Sequence, residues 1–116
     1  MKRERFGKDR RLTRAIEFRR VYAKGKAYAT PLFVCHVLGS KDRAAPTRLG
    51  LSAAKRTGPS HDRFRYKRWA REVFRRQQLK PGMDVVVSFR RAMASADFEQ
   101  FRSALLRAFE RANLLE

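Results

Sequence analysis

The chain has 116 residues, which suits one domain, and its 43% hydrophobic and 11% aromatic content indicates a packed core. Its 29 Lys and Arg residues against 11 Asp and Glu give a formal charge of +18, which favours a polyanionic partner, above all nucleic acid. No apolar run approaches the length of a membrane span, and the basic N-terminus meets no apolar signal segment, so we expect neither membrane insertion nor secretion. A single cysteine, Cys35, leaves no intrachain disulfide or Cys-based zinc site and predicts a small buried side chain in a reducing, cytoplasmic setting.

The N-terminal part of the chain predicts an arm followed by a helix. Residues 1–11 are basic and offer little to pack, so we expect a flexible arm before a single RNA-binding domain over residues 12–116. Thr13 is a candidate N-cap and Gly25 a candidate C-terminal stop for the first helix. The apolar residues between them recur at helical spacing: Ala15, Phe18, Val21 and Tyr22.

Extended structure is predicted next. Residues 28–30 favour a short extended piece, and the apolar, β-branched run 32–38 favours a strand. Residues 39–46 contain Gly, Ser, Asp and Pro and predict a hairpin loop that leads into another strand over 48–54. Gly50 lies inside this strand and predicts close approach of another segment to its backbone.

The most strongly charged segment spans residues 63–76, and we predict that it is a helix capped by Asp62 and ending near Gln78. Its apolar positions occupy about a third of the circumference, as in a core-facing stripe: Tyr66, Trp69, Ala70 and Val73. Four cations repeat at i, i+4 spacing, which is unfavourable unless an external polyanion neutralises them: Arg63, Lys67, Arg71 and Arg75. A merely solvated basic face is the alternative interpretation.

The C-terminal part predicts a loop over 80–82, a Val-rich strand over 84–89 ending in Arg90-Arg91, and a final helix capped by Ser95. One face of that helix carries Phe98, Phe101, Leu105, Ala108 and Ala112. The order is therefore helix, two or three strands, helix, strand, helix, and it contains a β-α-β unit. An α+β domain with helices on at least one face of the sheet would bury every apolar stripe.

The basic helix carries a pattern that resembles the protein-subunit family of bacterial ribonuclease P. The family motif matches Arg63, Arg65, Lys67, Arg68, Arg71 and Glu72, directly after a strand. Supporting matches across roughly residues 11–112 are Arg11-Leu12, Phe18, Val21, Tyr22, Gly25, Arg48-Leu49-Gly50-Leu51-Ser52, Lys55-Arg56, Gly58 and Met83-Asp84. The resemblance implies an α-β-β-β-α-β-α sandwich with a central mixed sheet and a left-handed β-α-β crossover, although about 98% of such crossovers are right-handed.

The resemblance also implies a function, namely assistance in the endonucleolytic removal of the 5′ leader of precursor tRNA. In the family the basic helix binds the catalytic RNA, which by position assigns Arg63, Phe64, Arg65, Lys67, Arg68, Arg71 and Arg75. A cleft between the first helix and the sheet holds the single-stranded leader, which assigns Phe18, Tyr22, His36, Lys55, Arg56 and Arg90. Because Phe18 and Tyr22 are one helical turn apart, they could stack on bases, with ordinary core packing as the alternative.

The sequence departs from the family pattern at three places. Phe64 replaces the usual Asn in the basic helix, and our hypothesis is that it packs on a base or ribose of the catalytic RNA. Packing on neighbouring Arg stems or on a loop is the alternative. His36 replaces a common Tyr, which predicts weaker or pH-sensitive leader stacking. Ser60-His61 replaces an apolar pair, which predicts a more polar turn before the helix.

We expect no catalytic residue and no metal site in the protein itself. The candidates Asp9, Asp42, Glu72 and the pair His61-Asp62 lie in unlike elements, and no Gly-rich phosphate loop is present. Hydrolysis is therefore expected from the RNA subunit, with Mg²⁺ held mainly by RNA, and no obligate protein partner is expected. The alternative class is a general structured-RNA-binding or ribosomal-type protein without a role in cleavage.

Overall fold

The computed structural model describes residues 7–116, in which three α-helices and four β-strands form one α+β unit. The helices are α1 (Ala15–Lys24), α2 (Ser60–Arg75) and α3 (Phe98–Arg111). The strands are β1 (Lys26–Ala29), β2 (Phe33–Gly39), β3 (Arg48–Ser52) and β4 (Met83–Phe89). This order confirms the predicted sequence of elements. Within the described range, no helix is long and apolar enough to cross a membrane.

The four strands form a mixed sheet in the order β1-β2-β4-β3. The β1/β2 and β2/β4 pairs are antiparallel, whereas β3 and β4 are parallel and are joined through α2. The predicted hairpin across residues 39–46 is therefore wrong, because β4 lies between β2 and β3. Turn residues signal that the chain reverses, but they do not determine which strand becomes the neighbour.

The connection over residues 39–46 packs against the start of β4. The Ser40 amide donates to the Gly82 carbonyl at 2.8 Å, and the Gly82 amide donates to the Ala45 carbonyl at 2.8 Å. Gly82 has φ 82°, and a Cβ at this position would overlap the backbone of Arg43. Only glycine therefore fits both the conformation and the space at this crossing.

Alternation along the central strand β4 divides the molecule into two layers. Val85, Val87 and Phe89 belong to the main core with α2 and α3, whereas Val86 belongs to a small cluster with α1. The main core also contains Phe33, Cys35, Leu49, Phe101, Leu105, Ala108 and Phe109. The predicted burial of Cys35 is thereby confirmed.

The buried stripe of α2 differs from the prediction at two positions. Tyr66, Ala70 and Val73 are buried, as expected, and Phe74, which the predicted stripe omitted, is also fully buried. Trp69 is only half-buried and lies at the boundary with α3, where its ring centre is 5.7 Å from that of Phe98. The core-facing arc is thus rotated towards Phe74, whose ring contacts Phe109 of α3.

Three predicted helix ends are wrong, namely the N-terminus of α1 and both ends of α2. Arg14, and not Thr13, occupies the N-cap of α1, although Gly25 ends this helix as expected. Helix α2 begins directly after Pro59, so Asp62 lies in its first turn and makes no capping hydrogen bond. It ends at Arg75, before the predicted Gln78.

The predicted N-cap of α3 is also wrong. Ser95 lies in a preceding 3-10 turn, and Asp97 is the N-cap. The Gln100 amide donates to the Asp97 carboxylate at 2.8 Å, and the Asp97 amide donates to the Gln100 side chain at 2.9 Å. This reciprocal capping box satisfies two helix-terminal donors, which a lone Ser95 could not do.

Part of the predicted N-terminal arm packs on the domain. Residues 1–6 lie outside the described residues, so the predicted flexibility there stays a prediction. From Gly7 onward the chain forms a 3-10 turn at Lys8–Arg10, and the Arg10 guanidinium lies 4.7 Å from the Phe74 ring centre. The Leu12 amide then donates to the Leu49 carbonyl at 2.9 Å. The packed chain therefore begins before the predicted boundary at residue 12.

Candidate nucleic-acid interface

The seven residues assigned to catalytic-RNA binding all lie on α2, and we call this surface the basic face: Arg63, Phe64, Arg65, Lys67, Arg68, Arg71 and Arg75. Phe64 and Arg68 are exposed, and the Phe64 side chain is 71% exposed. Among residues 7–116, neighbouring Arg stems and loops therefore leave most of the Phe64 ring uncovered. The basic face presents an uncovered aromatic ring among cations.

The basic face has two flanks. Arg65 lies on the α3 side, where its guanidinium is 5.4 Å from the Trp69 ring centre and pairs with Asp62 at 3.2 Å. Glu72 accepts from Arg75 at 2.8 Å and from Arg76 at 2.7 Å. These hydrogen bonds, chiefly that from Arg75, lower the pKa of Glu72. The acidic residues of α2 therefore order its α3 flank.

The other flank, towards β3, concentrates positive charge. Within residues 7–116, Lys67 and Arg71 take part in no ion pair, and with Arg11 they surround a cavity of about 210 Å³ beside Leu49 and Leu51. Burial, and then the charge of Arg11, lower the pKa of Arg71. Like charges held this close are favourable when an anion lies between them.

The face of the sheet that packs against α1, opposite to α2 and α3, brings together the three aromatic residues assigned to the leader. We call the surface formed by Phe18, Tyr22 and His36 the aromatic cleft. The Tyr22 ring centre lies 5.0 Å from His36 in an edge-to-face arrangement and 6.4 Å from Phe18. Tyr22 is 40% exposed, and its hydroxyl hydrogen-bonds with Ser88 at 2.9 Å. The rings are thus held in place while part of their surface stays open.

Gly50 permits the helix carrying these rings to approach the sheet. A Cβ at Gly50 would lie 2.7 Å from Cζ of Phe18 and 3.0 Å from Cβ of Leu12. The predicted close approach at Gly50 is therefore confirmed, and the segment that approaches is the start of the chain through α1.

The predicted basic residues beside the aromatic cleft lie at one edge of the sheet. Lys55 and Arg56 follow β3 in an exposed 3-10 turn, and Arg90 follows β4 and donates to the Thr30 carbonyl at 3.2 Å. Because β3 and β4 are parallel, their C-terminal ends meet at the same edge. Ser88, the hydrogen-bond partner of Tyr22, lies near the same ends of the strands.

His36 is a polar residue in a poorly solvated place. Its Nδ1 is buried and has no hydrogen-bond partner among residues 7–116. Burial lowers the pKa of His36 below its ordinary value of about 6.5. The neutral ring therefore packs against Tyr22 at neutral pH.

We expect this lowered pKa to make the folding stability pH-dependent. Between the folded pKa and about 6.5 the unfolded chain binds more protons, so the free energy of unfolding falls as pH falls through this window and levels off above it. Urea denaturation at pH 5.5 and 7.5 measures the difference. His36→Phe is expected to reduce it, whereas His61→Gln, at an exposed histidine, should not. Equal pH dependence in wild type and His36→Phe would contradict the prediction.

Several contributing residues were missed in the sequence. Ser88 and Asp84 both occupy β4 positions that face α1, and a polar residue at alternate positions of a Val-rich strand was the available signal. Asp84 pairs with Arg48, and Arg48 also contacts Glu17 of α1.

In the described part of the chain, no three His, Cys, Asp or Glu side chains are grouped so that they could hold a metal ion.

A small α+β domain with a cationic helix on one face and an aromatic cleft on the other defines an RNA-binding protein. The family model described as Ribonuclease P matches residues 6–113. The chain therefore belongs to the ribonuclease P family of proteins.

Relatives and solved structures agree with this family. The Ribonuclease P protein component of Clostridium botulinum is 33% identical over 110 residues, covering 92% of this chain and 97% of the relative. That of Herpetosiphon aurantiacus is 35% identical, covering 92% and 87%. A Staphylococcus aureus RNase P protein mutant with defective mRNA degradation activity superimposes with a TM-score of 0.85 at 27% identity, covering 93% of this chain and 92% of that one. The RNase P protein from Thermotoga maritima gives 0.76 at 29% identity, covering 87% and 96%.

Proposed function

We propose that this protein, as the protein subunit of ribonuclease P, docks on the catalytic RNA through its basic face and holds the 5′ leader of precursor tRNA in its aromatic cleft. Its place in tRNA processing and its partnership with the ribonuclease P RNA follow from the family. The observation that supports the two-site arrangement is that the two surfaces lie on opposite faces of one sheet. One protein can therefore contact two RNA segments at once.

The assignment of the basic face to the catalytic RNA is supported by its chemistry. One Arg guanidinium can donate two hydrogen bonds to the oxygens of a phosphate. A helix that presents several Arg side chains can therefore follow a folded RNA backbone. Lys67 and Arg71 carry charge that no carboxylate among residues 7–116 neutralises. Burial, and then the charge of Arg11, lower the pKa of Arg71, and an RNA phosphate beside these cations would offset the like-charge part of this cost.

The assignment of the aromatic cleft to the leader is supported by the chemistry and exposure of its side chains. Single-stranded RNA is bound by aromatic rings that stack on bases beside cations that follow the backbone. Tyr22 is the most open ring of the cleft, and Lys55 and Arg56 lie at its edge. Duplex RNA would not expose bases to these rings, so the cleft favours an unpaired segment.

We assign hydrolysis to the RNA subunit, with Mg²⁺ held mainly by RNA phosphates. The described side chains on both surfaces are chiefly cations and aromatic rings, which bind phosphates and bases, whereas Mg²⁺ prefers carboxylate and phosphate oxygens. The protein then contributes charge neutralisation and substrate positioning. We place this activity in the cytoplasm, in keeping with a sequence whose single cysteine, Cys35, is a free thiol.

A cleavage assay tests the proposal. The protein is mixed with the ribonuclease P RNA and a precursor tRNA at low Mg²⁺, and leader removal is followed. We expect cleavage that requires the RNA, is stimulated by this protein and is absent with protein alone. Equal stimulation by an unrelated basic protein would instead indicate a general structured-RNA-binding protein.

The salt dependence of catalytic-RNA binding gives a second test. Six phosphate contacts would make log K fall against log salt with a slope of about −4 to −5. Lys67→Met is expected to reduce the magnitude of this slope by about one contact, or 0.7 to 0.9. Lys80→Met is the control, since Lys80 lies beyond α2 and bonds to Asn113 at 2.9 Å. A slope near −1 for the wild type would count against docking through the basic face.

A further inference from the structure

Helix α1 separates two clefts on one face of the sheet. Tyr22, on one flank, contacts His36 and Ser88 in the aromatic cleft. Glu17 and Arg20, on the other flank, line a separate cavity of about 410 Å³ near the N-terminal ends of β3 and β4. The position of α1 therefore sets the width of both clefts.

The second cavity contains a network of charged side chains around the buried carboxylate of Asp84. Arg48 and Asp84 are register partners on the parallel strands β3 and β4. The Nε and Nη2 groups of Arg48 donate to the two carboxylate oxygens of Asp84 at 3.0 Å each, and its Nη1 donates to Oε2 of Glu17 at 2.9 Å. Asp84 is 1% exposed. The guanidinium thus joins two strands to α1 through three directed hydrogen bonds.

Arg20 makes a second connection from α1 to the sheet. Its Nη2 donates to the Gly39 carbonyl at the end of β2 at 3.0 Å, and its Nη1 lies 3.6 Å from Oδ2 of Asp84. Residues 17 and 20 are one helical turn apart, so both connections are made from the same flank.

This network is better suited to fixing a helix than to binding an external anion. The cations Arg20 and Arg48 already face the carboxylates of Asp84 and Glu17, so an incoming phosphate would have to compete with them. Apolar packing beneath α1 is limited in comparison with the main core. Its buried members are Leu12, Val21 and Val86. Directed polar contacts therefore contribute much to fixing the position of α1 on the sheet.

We propose that Glu17 and Arg20 are positioning residues for leader binding. By anchoring the far flank of α1 to β2, β3 and β4, they fix the distance of Phe18 and Tyr22 from His36 and the sheet. The inference rests on the proposed function of the aromatic cleft. Neither residue contacts the leader in this arrangement, so each acts through the rings on the other flank.

The test compares this network with a matched exposed pair. Glu17→Gln and Arg20→Gln are the test variants, and Glu99→Gln and Arg102→Gln are the controls, because Glu99 and Arg102 form an exposed pair at 3.5 Å on α3. The holoenzyme affinity is measured for precursor tRNA and for the same tRNA without a leader. Their ratio is the leader-dependent gain.

We expect the leader-dependent gain to fall about fivefold or more in both test variants, because fivefold corresponds to the smallest usual contribution of one stacked base. In the controls the gain should stay within about twofold of the wild type. Affinity for the catalytic RNA and the circular dichroism spectrum should be unchanged. Arg20→Lys retains a cation and is expected to recover part of the gain.

The direction of the effect separates positioning from net charge. Glu17→Gln and Glu99→Gln each raise the formal charge by one, so charge alone predicts slightly tighter RNA binding for both. Positioning predicts weaker leader-dependent binding for Glu17→Gln but not for Glu99→Gln. A wild-type gain that survives in both test variants would overturn the positioning inference only. No gain in the wild type would overturn the leader assignment, and this inference with it.

Discussion

Asp84→Ala is expected to lower the free energy of unfolding by about 3 kcal/mol, because removing the buried partner of an ion pair leaves the charge of the other only partly compensated. Arg48 would lose both hydrogen bonds to the carboxylate and keep only Glu17. The expected loss is at the lower end for buried pairs, since the Arg48 side chain remains 27% exposed. It is still a large fraction of the stability of a small domain.

Urea denaturation followed by the fluorescence of Trp69, the single tryptophan, measures this loss. Glu110→Ala removes the same charge from an exposed position on α3 and should change stability by less than about 0.5 kcal/mol. The double variant Arg48→Met with Asp84→Leu is expected to recover most of the stability, because apolar residues of similar volume can replace a buried ion pair. A loss equal to that of the control would show that the pair contributes little.

The elements could be predicted from the sequence because the local signals were strong. The Val-rich run of β4 and the charged, periodic segment of α2 each fit one kind of secondary structure. Strand neighbours could not be predicted in this way, since residues 39–46 form an ordinary turn-rich loop whichever strand pairs with β2. Helix starts depended on competing polar residues, as the choice of Asp97 over Ser95 shows.

The candidate site was predictable to different degrees on its two faces. The basic face lies on one helix, so spacing alone placed its residues together. The aromatic cleft joins α1 to two strands, and Phe18, Tyr22 and His36 were grouped only through the family resemblance. The contacts of Ser88 and Arg48 depend on strand register, which no local pattern specifies.

Phe64→Ala is expected to weaken binding to the catalytic RNA by about 1 to 3 kcal/mol, the usual contribution of one aromatic ring stacked on a base. The ring is 71% exposed in the free protein, so its removal should not lower folding stability. Phe64→Asn, which restores the residue usual in the family, tests whether an amide can replace the ring. We expect Phe64→Asn to bind more weakly than the wild type.

The salt dependence distinguishes this contact from the phosphate contacts beside it. Phe64→Ala should lower the affinity at every salt concentration and leave the slope of log K against log salt unchanged, because no counterion is released by an uncharged ring. Arg68→Met should reduce the slope. Ile16→Ala is the matched control, since Ile16 is 64% exposed but lies on α1. If Phe64→Ala and Ile16→Ala bind the RNA equally well, Phe64 does not contact it, and the exposed ring needs another explanation.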